Sequence, residues 1–198
     1  MKTPSSWQDV TLGQFMELRD LNSEGLDGFD LTNAQIAVLC GLTQQDVLKL
    51  DAATRYRITE RLQFIDTEPT GKFSNRFWHN GKRWAVTDRI VKLTAGQYID
   101  ICHYVKTGVN ANYHKVMGVI CDPLRFGLFK RSGGYDSDRA TANADELLTL
   151  PVPVAMAIAA FFLSSLEIYM DNIPTYLAET VKVTSSRSGS AGTSSSTT

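Results

Sequence analysis

The chain has 198 residues, enough for one domain or two small ones packed together. Its hydrophobic fraction of 43% and charged fraction of 21% allow a substantial core. A formal net charge of −1 excludes a protein that coats nucleic acid through bulk charge, though not one with a local basic patch. Three cysteines (Cys40, Cys102 and Cys121) without a C-x-x-C pair fit buried thiols in a reducing compartment better than a disulfide framework. The opening MKTPSSWQDV has no apolar stretch after Lys2, so no secretory signal is expected.

Helix starts are the clearest local signal. Thr11-Leu12-Gly13-Gln14, Thr32-Asn33-Ala34-Gln35 and Thr94-Ala95-Gly96-Gln97 each match the capping-box pattern, in which threonine accepts an orphan backbone N–H and glutamine reaches back to the cap. Helices are predicted over about 12–21, 32–40, 44–50, 52–66 and 95–106, with Gly41 as a left-handed stop for the second. In the fourth, Ile58, Leu62 and Ile65 share a face; in the fifth, Tyr98, Ile101, Cys102 and Val105 do.

Between these blocks, FSNRFWHNGKRWAVT reads as a β-hairpin, because Asn80-Gly81 is the preferred pair for a two-residue type I′ turn. That turn pairs His79 with Lys82, Trp78 with Arg83 and Phe77 with Trp84, so Phe77 and Trp84 share one face while Trp78 and Arg83 share the other. Downstream, a polar turn over 107–112 precedes a short apolar helix near 113–121. A loop, KRSGGYDSDRATANA, leads to a helical stretch at 144–150.

From Leu147 to Leu166 no residue is charged, which reaches the length of a minimal membrane span. Pro151 and Pro153 interrupt it, Asp145, Glu146, Glu167 and Asp171 flank it, and no Lys or Arg anchors either end. A buried central helix from Pro151 to about Met170 is therefore expected, with no membrane; the Ser164-Ser165 pair is expected to leave an uninterrupted stretch too short to span. A last turn follows Pro174, and residues 183–198 form a Ser/Thr-rich tail with nothing to bury, expected to be disordered.

Two of the helix starts begin a longer likeness. TLGQFMEL (11–18) and TAGQYIDI (94–101) match as Thr-x-Gly-Gln-aromatic-aliphatic-acid-aliphatic. IAVLCGL (36–42) then resembles MGVICDPL (117–124), placing Cys40 opposite Cys121. DVLKL (46–50) resembles DELLTL (145–150), and ITERLQFI (58–65) takes the place of AMAIAAFFL (155–163). Ordered self-similarity of this kind marks a duplicated unit. The expected fold is mainly α: a first helical half over 1–70, a β-hairpin near 73–87 within a connection over 71–93, and a second helical half over 94–182. The two halves would be packed together around the last apolar helix.

Nothing points to catalysis or a cofactor. No phosphate loop, dinucleotide fingerprint, nucleophile elbow or H-E-x-x-H is present. Cys102, His103, His114 and Cys121 lack the short paired spacing of a zinc site and read as two core thiols and two surface imidazoles. Asp136 and Asp138 lack the glycine and glutamate of a calcium loop and read as a solvated segment. The hairpin offers more. Lys72, Arg76, Lys82, Arg83, Arg89 and Lys92 face only Asp88 and are interleaved with Phe73, Phe77, Trp78 and Trp84. Such a surface is first an amphipathic hairpin with Trp78 stacked on Arg83, next a protein-binding face using Arg76, Trp78, Lys82, Arg83 and Trp84, and last a stacking platform for single-stranded nucleic acid.

Trp7, Asp9, Val10, Thr11, Leu12 and Gln14 open a helical half that ends near RLQFI. An aromatic Asn-Gly hairpin, a second start in TAGQYIDI and a C-terminal FFL helix follow. This layout, over about residues 7–180, resembles the tail assembly chaperone-like proteins of tailed bacteriophages and prophages. The resemblance implies a non-enzymatic protein without cofactor that binds a tape-measure or tail protein in the host cytoplasm during assembly. A minor virion component is the alternative, and self-association is left open.

Overall fold

The capping boxes at Thr11 and Thr94 organise the chain. A computed structural model describes residues 2–87, 89–124 and 134–169. At both starts the threonine side chain accepts the backbone N–H of the glutamine three residues on, and the glutamine oxygen accepts the threonine N–H, at 3.1 Å for Gln14 and 3.0 Å for Gln97. These boxes begin α1 (Leu12–Ser23) and α5 (Ala95–Lys106). Between them lie α2 (Gly28–Cys40), α3 (Gln44–Leu48), α4 (Ala52–Arg61), a 3-10 turn over Leu62–Asp66 and the hairpin. After α5 come α6 (Val109–Ile120), a short strand, α7 (Ser137–Leu147) and α8, which is helical over 152–169. The molecule is mainly α-helical with one small antiparallel sheet, as the periodicity implied.

The third expected box does not form. α2 starts four residues earlier, with Asp27 as its extended cap residue. Thr32 sits inside the helix, where its hydroxyl donates to the Gly28 carbonyl at 2.7 Å. Mid-helix threonine satisfies its hydroxyl in this way, so the same motif reads as a cap only where the preceding backbone is extended. Gly41 does end α2 in the left-handed region (φ 63°). The aromatic Trp7 meets Phe15 and Phe64 edge to face and donates its indole N–H to the Thr67 carbonyl at 2.9 Å, tying the N-terminus to the turn after α4.

The hairpin forms in the expected register. β1 (Arg76–His79) and β2 (Lys82–Val86) pair Phe77 with Trp84, Trp78 with Arg83 and His79 with Lys82. Asn80 and Gly81 both take positive φ (48° and 70°), as a type I′ turn requires. A third strand, β3 (Cys121–Pro123), was not foreseen; it leaves α6 and pairs antiparallel with β2, giving the order β1-β2-β3. Pro123 holds Asp122 out of helical geometry, so the chain continues extended after α6, whereas it turns at Gly41 after α2.

Three further expectations change in the second half. The polar turn is only Thr107-Gly108. Asn112 already lies in α6 and donates to the carbonyls of Tyr104 and Gly108, which lets that polar stretch stay helical. The stretch expected to be loop becomes α7, because Asp136 accepts the backbone N–H groups of Asp138 and Arg139 and so caps a helix, and Ala140 and Ala144 give it a small buried face. Residues 130–133 of that stretch lie outside the described residues, as do Met170, the turn after Pro174 and the Ser/Thr tail. Finally, α8 runs through Ser164 and Ser165 without a break; Ser165 returns its hydroxyl to the Phe161 carbonyl at 2.8 Å.

Helix α8 is long and apolar enough by composition to cross a membrane (mean hydropathy 1.8 over Val152–Tyr169), and 39% of that window is buried inside the protein. It is apolar all round but buried on one stripe: Val152, Ala155, Ile158, Ala159, Phe162 and Leu166 recur every three or four residues and enter the core. The segment leading into α8 also binds α1. Leu12 and Gly13 donate to the carbonyls of Leu150 and Leu148 at 2.8 Å each, and Val152 donates to Val10 at 2.9 Å. This stitches the N-terminal helix to the last described one. The core is continuous from Val10 to Leu166 and includes residues of both helical blocks and the sheet.

Candidate partner-binding surface

Trp84 anchors the hairpin. Its side chain is fully buried, lies parallel to Phe77 with centroids 6.1 Å apart, and donates its indole N–H to the His79 carbonyl at 3.3 Å. The hairpin tip docks on the end of α7: the His79 imidazole Nε2 lies 3.0 Å from Thr149 Oγ1, Asn80 donates to the same hydroxyl, and Lys82 Nζ pairs with Glu146 at 2.7 Å. Trp84 therefore belongs to the core, which corrects the expectation that it faces a partner; Lys82 pairs with Glu146 but stays exposed. Strand alternation is the reason: residues 82, 84 and 86 share the inward face.

The other face is open. Arg76, Trp78 and Arg83 project from it together, all exposed, with Trp78 at 63%. Arg83 lies directly across from Trp78, but the two do not stack; the rings with a cation over them among the described residues are Phe15, Phe29 and Tyr104. Next along the face, Asp122 of β3 accepts an ion pair from Arg139 of α7 at 3.8 Å. The edge of β1 is partly closed by Ser74, whose hydroxyl donates to the Arg76 carbonyl at 2.7 Å.

The cysteines and histidines are dispersed. Cys121 is fully buried, and burial raises its thiol pKa well above the ordinary range; Cys40, partly buried, is raised for the same reason. His103 is exposed. His114 is partly buried, and its buried Nδ1 has no hydrogen-bond partner among the described residues, so it is not the surface imidazole expected. Among the described residues no group of three His, Cys, Asp or Glu side chains is placed to hold a metal ion.

The two capping glutamines reach further than a cap requires. Gln14 donates Nε2 to the Val38 carbonyl at 3.0 Å, and Gln97 donates to the Val119 carbonyl at 2.9 Å. Each thus fastens the first helix of its block to the second. No protein-family model, curated protein or solved structure matches this chain.

Proposed function

We propose that this chain is a non-enzymatic bacteriophage morphogenesis protein, tail assembly chaperone-like, that binds a tail or tape-measure protein through the outer face of its hairpin. The binding mode rests on Trp78. A tryptophan 63% exposed, with Arg83 opposite and Arg76 alongside, has the composition of an interface hot spot and little folding role. The assembly role rests on the layout of motifs from Trp7 to the FFL of α8.

The reading includes a duplicated helical unit. In the pairing of TLGQFMEL with TAGQYIDI and of IAVLCGL with MGVICDPL, Val38 stands opposite Val119, and these are the two carbonyls that receive Gln14 and Gln97. A shared long-range hydrogen bond at matched positions supports common descent more strongly than two shared helix caps.

Co-expression with neighbouring tail genes and affinity capture tests the function. A tail or tape-measure protein should co-purify with the native chain and be recovered poorly with Trp78→Ala combined with Arg83→Glu. Capture of no tail or virion protein overturns the chaperone reading, and presence of the chain in purified particles makes it a virion component instead. The exposed basic and aromatic pairing also favours a second reading, single-stranded nucleic acid on the same face. It requires binding that weakens steeply with salt and is lost in Arg83→Glu.

A further inference from the structure

β1 is an edge of the sheet, whose order is β1-β2-β3. Val86 donates its N–H to the Asn75 carbonyl at 2.9 Å, so Asn75 and Val86 are a hydrogen-bonded pair. Such pairs alternate along an antiparallel ladder. Phe77 and His79 therefore turn their main-chain groups toward β2, while Arg76 and Trp78 turn theirs to the open edge. The same alternation on β2 sends the Arg83 carbonyl to the β3 side, where Leu124 donates to it at 2.6 Å.

The two outward residues differ. Arg76 is satisfied locally, since the Ser74 hydroxyl donates to its carbonyl at 2.7 Å and accepts its N–H at 3.4 Å. The main-chain N–H and C=O of Trp78 make no hydrogen bond among the described residues. An exposed tryptophan thus sits at the position where the edge is unpaired. Charge surrounds it on the same face. Arg76 and Arg83 have no acidic partner among the described residues, whereas Lys82 has Glu146 and Arg139 has Asp122.

We propose that β1 receives an extended acidic segment of a partner protein as an added strand, bonded to the Trp78 main chain, with its outward carboxylates drawn to Arg76 and Arg83. Strand addition supplies both a donor and an acceptor at Trp78, and alternate side chains set the specificity. Two other occupants fit less well. A second copy pairing through its own β1 would double the uncompensated arginine charge on one face, and like charges on neighbouring strands oppose pairing. A nucleic-acid backbone would satisfy the arginines, but its phosphates only accept and leave the Trp78 carbonyl unused. The inference rests on the proposed binding through the outer face of the hairpin and adds how the partner is held.

The probe is a short, fluorescently labelled peptide of alternating glutamate and threonine, titrated with the full-length protein. Saturable binding below about 1 mM is expected, weakened about tenfold or more by Arg76→Glu and by Arg83→Glu. Both arginines are exposed, so neither variant should disturb folding. In the nitrogen-15-labelled protein saturated with peptide, hydrogen exchange at the Trp78 amide should slow by about tenfold or more. No saturable binding, equal binding of the matching lysine–threonine peptide, or binding without slowed exchange at Trp78 overturns the proposal. So does a dimer that protects the Trp78 amide without peptide, or single-stranded oligothymidine bound more tightly than the acidic peptide. If these fail while a tail protein is still captured through Trp78 and Arg83, the strand mode falls and the assembly reading stands. If the peptide binds as expected and no tail or virion protein is captured, the reverse holds.

Discussion

Gln97 and Val119 are joined across two helices by a 2.9 Å hydrogen bond, made by a side chain that also closes the cap of its own helix. Gln97 is buried at 4% exposure, whereas its counterpart Gln14 is half-buried. Replacing Gln97 with alanine removes the reciprocal half of the capping box and leaves the buried Val119 carbonyl without that donor. A loss of about 1–3 kcal/mol is expected, against about 0.5–2 kcal/mol for Gln14→Ala. Urea unfolding of the two variants measures this. Equal losses would show that the deeper burial of Gln97 adds nothing to the strength of its bond.

The two hairpin tryptophans should separate folding from binding. Trp84 is fully buried, so Trp84→Ala is expected to cost about 3–5 kcal/mol. Trp78→Ala should shift stability by no more than about 0.5 kcal/mol, because its side chain stands in solvent. Thermal melts decide the matter, and a Trp78 variant as unstable as the Trp84 variant would place Trp78 in the fold instead of at an interface.

His114 supplies a pH dependence. Desolvation depresses its pKa, with Lys115 adding to the effect and Asp145 opposing it. The folded chain therefore favours the neutral ring, and the unfolded chain takes up the proton first as pH falls through the ordinary imidazole range near about 6.5. The stabilising contribution is present above that range and is lost as pH drops below it. In His114→Gln the stability difference between about pH 7.5 and pH 5.5 should shrink. An unchanged difference would assign the acid sensitivity to other groups.

Local chemistry made several features legible. Thr11-x-x-Gln14 and Thr94-x-x-Gln97 announce their caps because the partners are three residues apart, and Asn80-Gly81 sets the hairpin register because few residues tolerate two successive positive φ angles. The inward placing of Trp84 was half legible. Alternation paired it with Phe77, but which face met the core depended on β3, which was not anticipated, and on α7, of which only the last turn had been expected as helix.

The misreadings share one cause. Thr32-x-x-Gln35 carries the same motif as the true caps, yet Asp27 starts α2 a turn earlier and turns Thr32 into an interior residue. Asp136 and Asp138 look like a solvated loop until Gly118 on a different helix offers a surface flat enough for Ala140 and Ala144 to pack. Sequence alone determined the capping-box starts at Thr11 and Thr94, the hairpin turn and the mainly helical class, because those depend on contacts within about four residues. Only the tertiary structure decided which faces are covered: Trp84 inside, Trp78 outside, and α7 packed over Gly118 of α6. Burial is set by neighbours distant in the chain, and no local pattern records them.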